Sequence, residues 1–141
     1  MRRAPRLVLD TNVVISALLW KGKPDELLVL ARDEKARLHS SRVLLNELRG
    51  ILERPKLAKA IGLTGLTGDE LLADYRRSVT LTRPAALSQS YSRDPDDDHV
   101  IACALAAKAD FIVTGDDDLL TLGEVNGVRI VTVADLLKMS A

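Results

Sequence analysis

The sequence has 141 residues with twenty basic and twenty acidic side chains, so its formal net charge is zero. This balance argues against a protein that coats nucleic acid through charge alone, because such proteins carry an excess of basic residues. The single cysteine, Cys103, excludes an internal disulfide and a cysteine zinc cluster. No apolar run approaches the ~20 residues of a membrane span, and the start of the chain lacks a leader pattern. We therefore expect one cytoplasmic domain over residues 1–141.

Short apolar runs alternate with helical patterns along the whole chain. The expected strands are Arg6–Leu9, Ala36–His39, Val79–Thr82, Asp110–Asp116 and Val128–Val131. The expected helices are Val13–Trp20, a helix from Asp25, Arg42–Glu53, Leu57–Ile61, Asp69–Ser78, Pro95–Lys108, a short helix opening at Asp116–Asp118, and Val133–Met139. This alternation predicts an α/β fold with a mainly parallel central sheet.

Two of the strands end directly on an acid. Asp10 follows the apolar run Leu7-Val8-Leu9, and Asp116 closes the strand that begins at Asp110. Either side chain could simply cap the helix that follows it. However, ligands of parallel sheets bind outside the carboxyl ends of the strands, and both acids fall there. The pattern therefore predicts that Asp10 and Asp116 lie at one site.

A dense run of carboxylates, Asp94-Pro95-Asp96-Asp97-Asp98, opens the alanine-rich helix. Asp94 followed by proline is typical of a helix N-cap, and the helix dipole favours one or two more acids in the first turn. Capping and the helix dipole do not require all four acids of this run. Helical periodicity allows either Asp97 or Asp98 to face inward. Glu47 borders the buried face of its own helix, and Asp118 is either a cap or a further ligand.

These acids together form a candidate oxygen cage for a hard divalent cation, Mg²⁺ or Mn²⁺. Other sites do not fit the spacing. A calcium loop starting at Asp94 would have His99 at its glycine position and Leu105 at its closing glutamate. The chain contains no phosphate-binding glycine loop and no nucleophilic serine elbow. His39 and His99 lack the spacing of paired metal ligands.

Four stretches in this order resemble the PIN-domain ribonucleases, in particular the VapC-type toxins of prokaryotic toxin–antitoxin pairs. The stretches are Leu7–Asn12, Leu44–Leu48, Asp94–Ala102 and Ile112–Leu120. The resemblance covers nearly the whole chain and implies a three-layer α/β/α sandwich. It also implies metal-dependent hydrolysis of RNA phosphodiester bonds, leaving a 3′-hydroxyl and a 5′-phosphate.

The same resemblance implies roles for individual residues. The catalytic, metal-binding acids of the family fall on Asp10, Glu47, Asp98 and Asp116. Asp98 is preferred because Ile101 and Ala102 follow it at three and four positions, while Asp97 remains a contributor. Asn12 and Thr114 match supporting polar positions, and Asp118 matches a position that holds a second ion.

The implied partners are RNA, a cognate antitoxin and a second copy of the chain. Candidate phosphate contacts are the basic residues near the predicted site, namely Lys21, Lys23, Arg42, Arg49 and Arg54. The main alternative is a non-catalytic RNA-binding or regulatory module that keeps the acids for structure. A phospho-accepting receiver domain fits less well, because no lysine stands late in the chain where that chemistry requires one.

Overall fold

The computed structural model of the protein describes residues 3–20 and 22–140. The strands are β1 Arg6–Leu9, β2 Arg37–Ser40, β3 Val79–Leu81, β4 Phe111–Val113, β5 Glu124–Val125 and β6 Val128–Val131. The helices are α1 Thr11–Leu19, α2 Lys23–Arg32, α3 Arg42–Leu52, α4 Ala58–Leu63, α5 Gly68–Ser78, α6 Pro95–Ala107, α7 Asp117–Leu122 and α8 Val133–Ser140, with one 3₁₀ turn at Pro55–Leu57.

The strands form a single six-stranded sheet in the order β3-β2-β1-β4-β6-β5. All neighbouring strands are parallel except β5, which pairs antiparallel with β6. Leu9 of β1 is in register with Val113 of β4, and Ser40 of β2 with Leu81 of β3. The carboxyl ends of β1, β2, β3 and β4 therefore share one edge of the sheet. The predicted mainly parallel α/β fold is confirmed.

Side chains from β1 enter apolar layers on both faces of the sheet, because successive residues of a strand point to opposite sides. Leu7 and Leu9 pack among buried residues of α1, α2, α3, α5 and α8. Val8 packs on the other face with buried residues of α6 and α7. Both faces are covered, which explains the unbroken apolar run and confirms the three-layer sandwich. Among the described residues, no helix has the length and apolarity of a membrane span.

Several element boundaries differ from the sequence-based expectation. Helix α1 starts at Thr11, directly after Asp10, and α2 starts at Lys23 because Pro24 fits the first turn of a helix. Strand β4 ends at Val113, so Thr114–Asp116 forms a turn at the sheet edge. The two-residue strand β5 was not predicted, since so short a segment has no periodicity to detect.

Candidate metal centre

Asp10 and the turn after β4 are fixed to the carboxyl edge of the sheet by backbone hydrogen bonds. The Asp10 N–H donates to the Val113 carbonyl at 2.9 Å, which extends the β1–β4 ladder by one residue. The Thr114 N–H donates to the Val131 carbonyl at 3.0 Å, which does the same for β4 and β6. Because both segments continue a rigid sheet, their side chains emerge next to each other.

The Thr114 hydroxyl connects these two segments. It is buried, donates to Asp10 Oδ2 at 2.7 Å and accepts from the Asp116 N–H at 3.0 Å. Asp116 Oδ1 in turn accepts from the Asp118 N–H at 2.8 Å, which starts α7. Thr114 therefore holds Asp10 and Asp116 in a fixed relation. This placement agrees with the supporting position expected for Thr114.

The first turn of α6 brings a further carboxylate to the same place. Asp94 caps the helix by accepting from the Asp96 N–H at 2.9 Å. Asp97 lies one turn in, is only 4% exposed, and accepts from the Ser92 hydroxyl at 2.8 Å. One carboxylate oxygen from each of three residues lies within 4.8 Å of the others, and these residues are Asp97, Asp116 and Asp118.

Asp98 has a different role from its neighbour. Its Oδ1 accepts from the backbone N–H groups of Tyr91 at 3.0 Å and Ser92 at 3.2 Å. Its Oδ2 accepts from the Ser90 hydroxyl at 2.9 Å. The structure therefore places Asp97, and not the preferred Asp98, with the other acids. The sequence pattern could not separate them, because both precede apolar residues at helical spacing.

Glu47 and Asn12 flank the cluster without joining it. Glu47 is half-buried on α3, and the Thr11 side chain hydrogen-bonds its carboxylate. Asn12 is exposed in the first turn of α1, and His99 is exposed on α6. Of the expected phosphate contacts, Lys23 and Arg54 are exposed at element ends, while Lys21 lies outside the described residues.

Burial and mutual repulsion raise the pKa values of several carboxyl groups in the centre. Burial raises the pKa of Asp10 and of Asp97, and the nearby charges of Asp116 and Asp94 raise both further. Burial raises the pKa of Glu47 too, with a contribution from Asp96. Hydrogen bonds from Thr114 and Ser92 partly oppose these shifts. Clustered carboxylates with raised pKa values are typical of functional sites.

Positive charge near the cluster is sparse. In the described parts of the chain, the one ion pair to a cluster residue joins Arg93 to Asp118 at 2.9 Å, and the Arg93 side chain is 88% exposed. The converging ligand atoms are all carboxylate oxygens, which are the donors that Mg²⁺ and Mn²⁺ prefer over nitrogen or sulfur. The residues therefore fit a hard divalent cation.

Comparisons with known proteins identify the family and support the fold. The family model described as "PIN domain" matches residues 6–118, a span that contains Asp10, Glu47, Asp97, Asp116 and Asp118. Comparison with curated protein sequences gives no significant match. Among solved structures, a chain of the VapBC2 complex from Rickettsia felis, crystallised with a DNA fragment from its promoter, is similar with a TM-score of 0.60. That likeness covers 90% of this chain and 98% of that chain at 15% identity, and it supports the fold. Because the family model spans most of the sequence, the chain belongs to the PIN domain family.

Proposed function

We propose that this protein is a metal-dependent ribonuclease and the toxin of a toxin–antitoxin pair. The observation that carries the proposal is the convergence of three carboxylate oxygens within 4.8 Å at the carboxyl edge of a parallel sheet. Membership of the PIN domain family, which contains nucleases, supports it. We assign Asp97, Asp116 and Asp118 as ligands of a Mg²⁺ or Mn²⁺ ion. Asp97 takes the place that the family resemblance assigned to Asp98.

A divalent cation held there would supply Lewis-acid polarisation of a scissile phosphate and a lower pKa for a bound water. Thr114 fixes the carboxylate of Asp10 beside Asp116, and the Ser92 hydroxyl fixes that of Asp97. These contacts pre-organise the oxygens, so little reorganisation is required on loading. Glu47 faces the centre from α3, and its raised pKa suits a carboxylate that accepts a proton from an attacking water.

The proposed partners follow from the resemblance and from the structural neighbour. The similar solved chain belongs to a VapBC2 complex, so we propose that this chain also binds a small antitoxin. RNA is the proposed substrate, a homodimer the proposed assembly and the cytoplasm the proposed location.

Cleavage of single-stranded RNA tests the activity directly. We expect cleavage with Mn²⁺ or Mg²⁺, none with EDTA, and none after Asp97→Asn or Asp116→Asn. The products should carry a 5′-phosphate and a 3′-hydroxyl. Cleavage that persists in EDTA would contradict the proposal, and so would activity in both variants.

Thermal melting tests the metal site without reference to activity. A cation that binds only the folded state stabilises it by about 2.7 kcal/mol at a concentration of ~100 Kd. We therefore expect Mn²⁺ to raise the Tm of the wild type and to have little effect on Asp97→Asn. A raised Tm without RNA cleavage would instead favour the non-catalytic module.

A further inference from the structure

A groove with three arginines lies between α3 and α5, and the α3 residues that line it do not include Glu47. It encloses about 300 Å³ between α3, α5 and the edge strand β3. Its charged rim consists of Arg42 and Arg49 from α3 and Arg76 from α5, and the polar side chain of Asn46 lies between the first two. We call this the arginine groove.

The arginine groove has positive charge without a bound counter-charge. Its three arginines are exposed, and none of them forms an ion pair with a carboxylate of the described residues. Glu53 and Asp69 do not line the groove, but they line two adjoining concavities, one with Arg49 and Arg76 and a smaller one with Arg49. The end at Arg42 is further from these acids and coincides with the first turn of α3, where the helix dipole adds partial positive charge.

The sheet register places this groove beside the metal centre. Leu81, which lines the groove, is in register with Ser40 at the end of β2. Ser40 is in turn one residue beyond the β1–β2 pair of Val8 and His39, next to Leu9 and Asp10. Neighbouring strands are 4.7–4.9 Å apart, so two strand spacings place the backbone of Leu81 ~10 Å from that of Leu9, the residue before Asp10.

Helix α3 therefore has a functional residue on each flank. Successive residues of an α-helix are ~100° apart, so Glu47 and Asn46 point in clearly different directions. Glu47 is on the side of the acids, and Asn46 is on the side of the arginines. A ligand that crosses the exposed surface of α3 reaches both sites, and Gly50 leaves open space on that surface.

We propose that the arginine groove binds the sugar–phosphate backbone of single-stranded RNA one or a few nucleotides from the scissile bond. This proposal rests on the proposed ribonuclease function, because it assigns the groove to the same substrate. Arginine suits the role, since its planar guanidinium donates two parallel hydrogen bonds to a phosphate. The apolar floor, formed by Leu45, Leu72 and Leu81, accommodates ribose and base edges.

The test compares two triple variants that remove the same charge. The groove variant is Arg42→Gln, Arg49→Gln, Arg76→Gln. The control is Arg32→Gln, Lys35→Gln, Arg37→Gln. It neutralises three exposed basic residues at or near the amino end of β2, away from the carboxyl ends of the strands. RNA binding is measured by fluorescence anisotropy at several salt concentrations, with Asp97→Asn in each protein to prevent cleavage. Circular dichroism melts check that both variants fold.

Each phosphate contact on a single strand contributes ~0.7 to the slope of log K against log salt. The slope is negative, and we expect the groove variant to make it shallower by about 2. We also expect binding to weaken by about 10- to 100-fold at moderate salt. The control variant should retain the slope and the affinity of the parent. Equal slopes in the two variants would overturn the proposal. Unchanged RNA binding with loss of a protein partner would also overturn it, in favour of a protein interface.

A kinetic measurement separates this proposal from the ribonuclease function itself. With Asp97 intact, the groove variant should raise KM for RNA more than it lowers kcat, because it removes binding remote from the reacting bond. A wild type that binds RNA through the groove but does not cleave it would refute only the nuclease. A wild type that cleaves RNA while the groove variant has an unchanged KM would refute only the groove.

Discussion

Carboxylates at the amino ends of the central strands have different surroundings from carboxylates at the carboxyl ends. We call these two ends the amino edge and the carboxyl edge of the sheet. At the amino edge, Asp110 accepts from the Arg6 backbone N–H at 2.8 Å and lies 3.9 Å from the Arg3 guanidinium. At the carboxyl edge, Asp10 and Asp97 accept from hydroxyl groups while other carboxylates repel them. The protein itself supplies positive charge next to Asp110, whereas Asp10 and Asp97 have other carboxylates nearby.

This difference separates structural acids from functional ones. A buried carboxylate without a cation weakens the folded state, because burial and like charges disfavour ionisation. The fold nevertheless holds Asp10, Asp97 and Asp116 in fixed positions through Thr114 and Ser92. A divalent cation converts their repulsion into attraction. The contrast with Asp110 therefore supports the proposal that the carboxyl edge is built for a metal ion.

The largest expected effect is on catalysis. Asp97→Asn should lower kcat/KM for RNA by about 100-fold or more, equivalent to ~3 kcal/mol of transition-state stabilisation. Asp110→Asn should leave kcat/KM within about 2-fold of the wild type, since Asp110 lies at the opposite edge. Initial rates of RNA cleavage in Mn²⁺ measure both. Similar losses in the two variants would remove the functional distinction between the edges.

A smaller effect is expected on stability when Asp98 is replaced. Asp98→Ala removes the acceptor of three hydrogen bonds from residues 90–92, so it should lower the free energy of unfolding by about 1–3 kcal/mol. Asp97→Ala removes a repelled carboxylate and the acceptor of one hydrogen bond, so the metal-free protein should lose less. Urea unfolding with EDTA measures both variants. A greater loss for Asp97→Ala would show that Asp97 is the structural acid of the pair.

The Asp97 and Asp98 pair also marks the limit of what the sequence could predict. The parallel sheet, the position of Asp10 directly after β1 and the helix start at Asp94 follow from apolar runs and capping patterns, whereas Asp116 lies three residues beyond the end of β4 and caps α7. The direction of each acid in the first turn of α6 does not follow from such patterns. It depends on the loop at residues 90–92, whose Ser92 hydroxyl reaches Asp97 and whose N–H groups reach Asp98. Such loop contacts have no periodic signature.

The arginine groove shows the same limit on a larger scale. Arg42 and Arg49 were predicted as phosphate contacts, together with Lys21, Lys23 and Arg54, because they are basic residues near the predicted site. Arg76 was not, because its approach depends on the packing of α5 against α3 and β3. Patterns within one element are readable from sequence, whereas convergence of distant elements requires the fold.

An intermediate effect is expected on the pH dependence of the metal-free protein. The ordinary pKa is 3.8 for Asp10 and Asp97 and 4.5 for Glu47, and folding raises all three. The folded state therefore binds more protons, and these groups lose their stabilising contribution as the pH rises from about 4 through the raised pKa values. We expect Asp10→Asn with Asp97→Asn to reduce this decline as the pH rises above the ordinary pKa of these carboxyl groups.

Melting curves in EDTA across that pH range measure the decline, with Asp110→Asn as the control that keeps it. Saturating Mn²⁺ should also abolish the decline in the wild type, because the cation binds the ionised carboxylates. The same slope in the double variant and the wild type would mean that other groups determine the pH dependence.

The smallest expected effect concerns Arg93, whose guanidinium forms an ion pair with Asp118 of the cluster. Its ion pair with Asp118 is exposed, so Arg93→Ala should barely change the Tm. It should nevertheless increase the affinity for Mn²⁺, because the guanidinium no longer competes for an Asp118 oxygen. Arg77→Ala is the matched control, since Arg77 pairs with Asp74 within α5, away from the acids. Calorimetric titration with Mn²⁺ measures both variants. If affinity rises only in Arg93→Ala, Asp118 is a ligand. Arg93 then neutralises the Asp118 carboxylate in the metal-free protein. If both variants bind Mn²⁺ with the affinity of the wild type, Asp118 is not a ligand. Its pairing with Arg93 is then structural, like that of Asp110 with Arg3, and Asp97 and Asp116 remain as the ligands.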